Sequence, residues 1–310
     1  MFICKIAPKG FGGFFVYFLN LALKTSNLMT TPTKPFLLAK AEAFRVLHRQ
    51  PGIFVIPNPW DAGSAKVLQS FGFKALTTTS AGLAYALGKP DGYASITRDE
   101  TLQNAGSIAD AVDLPVAADL ENGFGDEPEA CAETILLAAK TGLCGGSIED
   151  NTGNINDHIY PFDQAVERVK AAVTAARSLP FPFTLTARAE NLIYGRPDLK
   201  DTINRLVAFA DAGADVLFAP GLRTPQDIAI AVKAVAPKPL SVVMGFTGGN
   251  FSLNMLEDLG VKRVSLGSAF IRAAYGGFYR AVEEVAQNGT FNFADDAKPY
   301  ADINKLFAGQ

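Results

Sequence analysis

The sequence predicts a (β/α)8 barrel with additional helices at its C-terminal end. From Gly52 onward, eight short apolar segments rich in Val, Ile, Leu and Ala alternate with longer amphipathic segments. Strands that are apolar throughout, rather than at every second residue, are typical of parallel strands covered on both faces. The predicted strands are residues 53–57, 75–79, 115–119, 145–149, 183–188, 215–219, 240–244 and 263–267. Eight strands in alternation with helices favour a closed barrel.

The segments between the strands carry helix signals. Several begin with Asp, Ser or Thr at a position suited to an N-cap, and they end at Gly or Pro. The clearest are AGSAKVLQSFG, EACAETILLAAKTG, FDQAVERVKAAVTAARS, LKDTINRLVAFADAG and TPQDIAIAVKAVA. The rival architecture is a doubly wound open sheet, which is disfavoured by the count of eight and by the lack of a Gly-rich phosphate turn after the first strand. The tail from Tyr275 predicts further helices beyond the eighth strand.

The first 30 of the 310 residues differ from the rest of the chain. The run FGGFFVYFLNLAL follows Lys5 and Lys9, as in a signal peptide, but no small-residue cleavage site follows and the run is too short and broken to span a bilayer. Met29 begins MTTPTKPF, which is typical of an ordinary N-terminus. We therefore predict that residues 1–30 are an extension, either disordered or an artefact of the start site, and that residues 31–310 form one barrel domain.

The composition argues against some classes of partner and indicates the cellular compartment. The chain has 28 basic and 31 acidic residues without a basic cluster, which argues against nucleic acid or a membrane as partner. Its three cysteines, Cys4, Cys131 and Cys144, form no CxxC pair, so neither a disulfide framework nor a structural zinc site is expected. This sparse use of cysteine fits a reducing compartment, and we predict a cytoplasmic protein.

Polar residues follow most of the predicted strands directly, where the active site of a barrel is built. They are Asn58, Trp60, Asp61, Thr79, Ser80, Asp91, Asp119, Glu121, Asn122, Glu149, Asp150, Arg188, Glu190 and Asn191. Carboxylates this numerous cannot all be ionised side by side without a cation, because like charges raise one another's pKa. An oxygen-only ligand set without His or Cys indicates a hard ion, Mg2+ or Mn2+.

Several of these residues have alternative readings. Asp61 and Asp150 can equally be helix N-caps or solvated loop acids, and Arg188 can neutralise the acids or clamp a substrate carboxylate in a bidentate way. A Schiff-base aldolase is disfavoured because no lysine lies at a strand end. A Ser-His-Asp hydrolase is disfavoured too, since His48 precedes the barrel, His158 lies in a loop and no nucleophile elbow is present.

Five segments of the sequence resemble the isocitrate lyase/phosphoenolpyruvate mutase superfamily. They are NPWDAGSAKVLQSFGFKAL, TTTSAGLAYALGKPDG, AADLENGFGD, SIEDN and TARAE. The similarity extends from about Pro51 to Gly277, and the spacing from DLENGFG to IED is specific on its own. The resemblance implies an α/β barrel that binds Mg2+ and a 2-oxo acid, in which the metal spreads the negative charge of an enolate when a bond at C3 breaks.

The resemblance also implies roles for individual residues. Asp119 would ligate the metal directly, and Glu121, Glu149 and Asp91 would hold its water molecules. The residues expected to bind the substrate are Ser80, Ala81, Gly82, Arg188 and Asn191, with Ser80, Ala81 and Gly82 cradling its carboxylate through a hydroxyl and backbone amides. The residues expected to take part in catalysis are Arg188, Glu190 and Asp157.

The loop after the fourth strand, residues 151–160, is predicted to be a lid over the mouth of the barrel. In isocitrate and methylisocitrate lyases, this loop carries a Lys-x-Cys-Gly-His signature whose cysteine is the catalytic acid. Here Asp157 stands in the cysteine position, with Ile155 and Ile159 in the lysine and histidine positions. Asp157 could act as a weaker acid, or the lid could serve only to exclude water. The Lys and Asn of a mutase-type loop are not matched well either.

The function predicted from these observations is Mg2+-dependent cleavage of a bond at C3 of a small 2-oxo or 2-hydroxy carboxylate. A carbon–carbon lyase or decarboxylase is our first hypothesis, a P–C mutase or hydrolase acting on a phosphonopyruvate-type substrate is the second, and a non-catalytic barrel that binds 2-oxo acids is the third. The resemblance also implies a homo-oligomer, a dimer or tetramer, because such families often exchange a C-terminal helix between subunits.

Overall fold

The computed structural model describes residues 35–92, 94–246 and 251–308, so the predicted extension at residues 1–30 lies outside the described part. The strands are β1 Phe54–Ile56, β2 Leu76–Thr77, β3 Val116–Asp119, β4 Gly145–Glu149, β5 Thr184–Arg188, β6 Val216–Phe218, β7 Leu240–Val243 and β8 Arg263–Ser265. The helices are α1 Pro35–Arg49, α2 Ala62–Ser70, α3 Ser80–Ala86, α4 Arg98–Ala111, α5 Pro128–Lys140, α6 Phe162–Arg177, α7 Leu199–Asp211, α8 Pro225–Val235, α9 Leu253–Asp258, α10 Ala269–Asn288, α11 Phe293–Asp296 and α12 Tyr300–Ala308.

The eight strands form one parallel sheet that curls into a nearly closed barrel. The strand order is β1-β8-β7-β6-β5-β4-β3-β2, and the two ends of the sheet meet where Thr77 N donates to Pro57 O at 3.1 Å. All residues of β6 and β7 are buried, as the continuous apolar segments predict. The predicted (β/α)8 barrel with additional C-terminal helices is therefore confirmed.

The register of the central strands decides which side chains meet at the mouth. Asp119 at the end of β3 lies opposite Ser147 of β4, and Glu149 at the end of β4 lies opposite Arg188 of β5. Arg188 in turn lies opposite Phe218, the last residue of β6. Because all these strands run in the same direction, their terminal residues collect at one end of the barrel.

Helix α1 packs against the opposite end, at the start of the strands. His48 on α1 donates from Nδ1 to Phe44 O at 2.8 Å, and its Nε2 lies 3.3 Å from Arg263 Nη1 of β8. Arg263 also donates to Ser241 Oγ and Thr186 Oγ1 inside the barrel. Burial, reinforced by the charge of Arg263, lowers the pKa of His48 to about 3, so the ring is neutral. His48 thus has a structural position far from the mouth.

The C-terminal helices leave much of their surface exposed. Of the residues of α10, only Ile271 is buried in the described chain, while Phe278 and Tyr279 are 63% and 72% exposed. Helix α12 returns to α2, where Lys66 Nζ approaches Phe307 O at 3.5 Å. Across the described ranges, no helix is both long and apolar enough to cross a membrane.

Candidate functional site

Arg188 is the centre of the polar network at the mouth of the barrel. Its Nη1 lies 2.9 Å from Asp119 Oδ1, its Nη2 3.1 Å from Glu149 Oε2, and its Nε 2.8 Å from Glu190 Oε1. The guanidinium also lies over the ring of Phe218, with 5.1 Å to the ring centroid. Burial opposes its charge, but the three carboxylates outweigh burial and raise the pKa of Arg188 above its ordinary value. The strand-end residues predicted from the sequence therefore meet around one fixed cation.

Asp119 connects this network to the turn after β2. Its Oδ2 accepts hydrogen bonds from Ser80 N at 3.3 Å and Ser80 Oγ at 3.0 Å. Thr79 caps α3 by accepting from Gly82 N at 3.2 Å, and a Cβ on Gly82 would lie 2.4 Å from Thr79 Cγ2. The turn needs glycine at this position because the backbone and Thr79 approach so closely. Ser80 thus joins the network, and binding of the substrate carboxylate by Ser80, Ala81 and Gly82 stays a prediction.

The acids around Arg188 carry more negative charge than one guanidinium can balance. We call Asp91, Asp119, Glu121, Glu149 and Glu190 the carboxylate cluster. Burial and the charges of Asp119 and Asp91 raise the pKa of Glu121 to about 8. Burial, and after it the charge of Asp119, raises the pKa of Asp91. Burial also raises the pKa of Glu149 well above its ordinary value, although Arg188 opposes this shift.

This donor set fits a hard divalent cation. The side chains offer only oxygen atoms, and an added positive charge would relieve the repulsion that raises these pKa values. In the described residues, no three His, Cys, Asp or Glu side chains are arranged as a closed ligand set. The resemblance implies an ion held directly by Asp119, with the other carboxylates acting through water, and this arrangement stays a prediction.

Asp61 and Asp150, whose roles the sequence leaves open, both have hydrogen-bond partners in the structure. Asp61 is the N-cap of α2: its Oδ1 accepts from Ser64 N at 2.7 Å, and Ser64 Oγ accepts in turn from Asp61 N. Asp150 is fully buried and forms an ion pair with Arg205 Nη1 at 3.0 Å, while its Oδ1 accepts from Glu190 N at 2.8 Å. Asp150 is therefore neither an N-cap nor a solvated acid, and it holds the backbone of Glu190 in place.

Asn191 and Asp157 make contacts within and between loops, and these contacts do not test their predicted roles. The amide of Asn191 is fully buried and donates to the carbonyl oxygens of Arg196 and Asp198. Asp157, near the tip of the lid, is 63% exposed and pairs with Arg196 at 2.7 Å. Substrate binding by Asn191 and proton transfer by Asp157 stay predictions.

The structure adds residues that the sequence reasoning did not single out. Ser147 Oγ lies 3.5 Å from Asp119 Oδ1, and the two-residue period of a strand, which puts Ser147 on the same face as Glu149, could have indicated it. Tyr160 and Asp126 are also new: Tyr160 Oη donates to Asp126 Oδ1 at 2.7 Å and accepts from Nδ2 of Asn122, a predicted strand-end residue that also donates to Thr152 O in the lid. These contacts join the loop after β3 to the base of the lid.

A cleft of about 660 Å³ opens beside Glu121. It lies between the segment before α4, the loop after β3 and the lid, which contribute Thr97, Phe124 and Thr152 respectively. Ala94, Glu121 and Phe124 all line it and all have positive φ angles, of 52°, 45° and 61°. Backbone held in this region is costly and is often found at functional sites. Of the carboxylate cluster, Glu121 lines this cleft, so the cleft borders the cluster at that residue.

Comparison with known proteins gives the site a family context. The sequence model of a family described as phosphoenolpyruvate phosphomutase matches residues 44–286. A probable 2-methylisocitrate lyase of Corynebacterium glutamicum is 30% identical over 81% of this chain and 82% of its own. The crystal structure of a putative lyase/mutase from Burkholderia cenocepacia is 56% identical, with a TM-score of 0.86 over 89% of this chain and 98% of that chain. An oxaloacetate acetylhydrolase in complex with oxalate is 28% identical, with a TM-score of 0.80 over 89% and 96% of the two chains.

Proposed function

This chain belongs to the isocitrate lyase/phosphoenolpyruvate mutase superfamily, and on that premise we propose that it is a metal-dependent enzyme that cleaves a carbon–carbon bond at C3 of a small 2-oxo or 2-hydroxy carboxylate. The observation that carries the proposal is the network of Asp119, Glu149 and Glu190 around Arg188 at the ends of three adjacent strands. A buried cation within a larger set of acids suits a reaction that develops negative charge on an oxygen of the substrate.

The proposed metal is Mg2+, with Mn2+ as a substitute of similar chemistry. Asp119 would hold it directly, and Glu121, Glu149 and Asp91 would hold it through water. When bound, the ion would supply the positive charge that stabilises an enolate oxygen. The excess of acids over guanidinium groups, expressed in the raised pKa values of Asp91, Glu121 and Glu149, supports this assignment.

The roles of the chain's own groups follow from their positions. Arg188 would contact the 2-oxo acid, because it is the cation buried among the acids at the mouth. The turn at Ser80, Ala81 and Gly82, with Asn191 on the facing loop, would hold the substrate carboxylate. Glu190 is 1% exposed and accepts from Arg188 Nε, so it would fix the plane of the guanidinium during the reaction. Asp157 would donate the proton to C3 from the lid.

Cleavage of a C–C bond, in a lyase or a decarboxylase, is the proposed reaction because similar proteins carry lyase names. Cleavage of a P–C bond by a mutase or hydrolase is the second candidate, and the description of the matching family favours it. The proposed location is the cytoplasm, and Cys131 and Cys144, which are free and buried, fit a reducing compartment. No nucleic-acid or membrane partner is proposed.

The experiment that tests the proposal is a substrate panel. The purified protein is incubated with Mg2+ and with oxaloacetate, 2-methylisocitrate, isocitrate or phosphonopyruvate, and the products are quantified. Release of pyruvate or glyoxylate without phosphate, lost on chelation of the metal, is the expected result. Conversion of phosphonopyruvate to phosphoenolpyruvate, or to pyruvate and phosphate, would replace the C–C proposal with the P–C alternative. Binding of 2-oxo acids without turnover of any panel member would contradict both.

A further inference from the structure

The lid is held in shape by its own hydrogen bonds. Asn151 and Ile159 form an antiparallel bridge at its base, and Thr152 N donates to His158 O at 2.8 Å. Nearer the tip, Asn154 N donates to Thr152 Oγ1 at 2.9 Å. The lid is therefore a small hairpin, and because a single hairpin is marginally stable by itself, its order depends on what it contacts.

Two side chains of the lid contact the loop after β5. The ring of His158 stacks on the ring of Tyr194, with centroids 4.9 Å apart and an angle of 28° between the planes. Beside this stack, Arg196 Nη2 donates to Asp157 Oδ1 at 2.7 Å. The side chains of Arg196 and Asp157 are 49% and 63% exposed, and exposed ion pairs contribute little to stability. The half-buried stack is therefore the stronger of the two contacts.

The loop that carries Tyr194 is itself firmly attached to the barrel. Asn191 Nδ2 donates to Arg196 O at 3.3 Å and to Asp198 O at 3.1 Å, while Asn191 Oδ1 accepts from Thr202 Oγ1 of α7 at 2.9 Å. This loop follows directly from Arg188 and Glu190. Tyr194 is therefore presented to the lid by a support that is continuous with the centre of the site.

Tyr194 also lies close enough to the carboxylate cluster to respond to its charge. Burial, together with the negative charges of Glu149 and Glu190, raises the pKa of the Tyr194 phenol above its ordinary value. The side chain is thus within the electrostatic field of the cluster on one side and in contact with the lid on the other. A lid held beside the cluster would exclude water, which strengthens electrostatic interactions inside the site.

We propose that Tyr194 is a positioning residue, whose ring docks His158 and thereby holds the lid over the carboxylate cluster. The Asp157–Arg196 pair is the outer and weaker contact of the same docking surface. The docking itself requires no substrate, whereas its consequence for catalysis rests on the proposed function. No part of this role depends on the Tyr194 hydroxyl, so a ring without the hydroxyl should serve equally well.

Hydrogen exchange of the lid amides tests the docking. In the Tyr194→Ala protein, we expect the amides of Thr152 and Asn154 to exchange about tenfold faster, because an aromatic contact of this kind is worth roughly one decade in an opening equilibrium. Tyr194→Phe should keep exchange within about twofold of the wild type, since the stack is retained. Ile193→Ala, an exposed neighbour on the same loop, is the matched control and should change nothing.

Kinetics separates this role from a purely structural one. With a substrate that the wild type turns over, Tyr194→Ala should lower kcat while the Mg2+ affinity measured by calorimetry stays unchanged, and Tyr194→Phe should retain kcat. Unchanged lid exchange in Tyr194→Ala would overturn the proposal. So would a loss of kcat in Tyr194→Phe with lid protection intact, because that result gives the hydroxyl a chemical role. If the wild type turns over no panel substrate but Tyr194→Ala still frees the lid amides, the proposed function fails and the docking stands.

Discussion

At the scale of single residues, charge balance dominates the behaviour of the barrel mouth. Arg188 pairs with three carboxylates that are at most 13% exposed, so each acid relies on it for compensation. Removing one partner from a buried ion network is costly, because the remaining charges are left without compensation in a poorly solvated place. Such groups respond by changing their protonation state, which makes the cost dependent on pH.

Replacement of Arg188 by Met should therefore destabilise the protein by an amount that depends on pH. At about pH 8 we expect a loss of roughly 3–5 kcal/mol in the free energy of unfolding. Without the guanidinium, the folded-state pKa values of Glu149 and Glu190 rise further above their unfolded values, so the folded variant binds protons and recovers stability as the pH falls towards about 5. Urea unfolding of the wild type and the variant at the two pH values measures the loss of stability. An equal loss at both pH values would contradict the predicted pH dependence.

His48, at the other end of the barrel, should make the protein less stable at acid pH, the opposite direction to that of the Arg188 variant. Its pKa is about 3 in the folded protein against an ordinary value of 6.5, so acid protonates the unfolded chain first. The stability that neutral His48 contributes is present above about pH 6.5 and is lost as the pH falls, by roughly 2–3 kcal/mol at about pH 4.5. Denaturant unfolding of the wild type and of His48→Gln, measured from neutral to acid pH, should show a weaker acid loss in the variant. If the free energy of unfolding fell equally with pH in the two proteins, the lowered pKa of His48 would be contradicted.

At the scale of secondary-structure elements, most strands could be predicted and most loop contacts could not. The apolar segments predicted all eight strands, although β2 is limited to Leu76–Thr77 because Thr79 turns to cap α3. The strand-end rule places Asp119, Glu149 and Arg188 together from the sequence alone. The pairing of Asp157 with Arg196, and the use of the Asn191 amide within its own loop, depend on contacts between loops. No local pattern of the sequence carries that information.

Asp61, at the start of α2, is a helix cap and does not belong to the carboxylate cluster. Asp61→Ala removes a capping box with Ser64 and should lower the free energy of unfolding by about 1 kcal/mol, while Asp61→Ser, which keeps a capping oxygen, should cost less. Thermal unfolding measures both. Mg2+ affinity should be the same in the two variants, and a clear loss of affinity in Asp61→Ala would return Asp61 to the metal site.

At the scale of the whole molecule, the exposed apolar face of α10 supports a homo-oligomer. Phe278, Tyr279 and Val282 are 63%, 72% and 47% exposed. Exposed apolar patches of this kind mark surfaces that bind another protein. We expect light scattering after gel filtration to give about two or four times the chain mass of 32.9 kDa.

Substitution on that face should shift the assembly. Phe278→Asp combined with Tyr279→Asp is expected to yield a monomer, because a charge in an apolar interface is poorly solvated. Phe71→Asp is the matched control, since Phe71 is 78% exposed but lies at the end of α2 and should leave the mass unchanged. A wild type that runs as a monomer at all concentrations would contradict the expectation.

The proposed reaction requires a divalent metal ion held by the carboxylate cluster. The most direct measurement is the rate of product formation with and without Mg2+, for the wild type and for Asp119→Ala, on the substrate that the wild type turns over. We expect chelation to abolish turnover, added Mg2+ to restore it, and Asp119→Ala to lower the Mg2+-dependent rate at least about a hundredfold. An Asp119→Ala rate equal to that of the wild type would contradict the proposal.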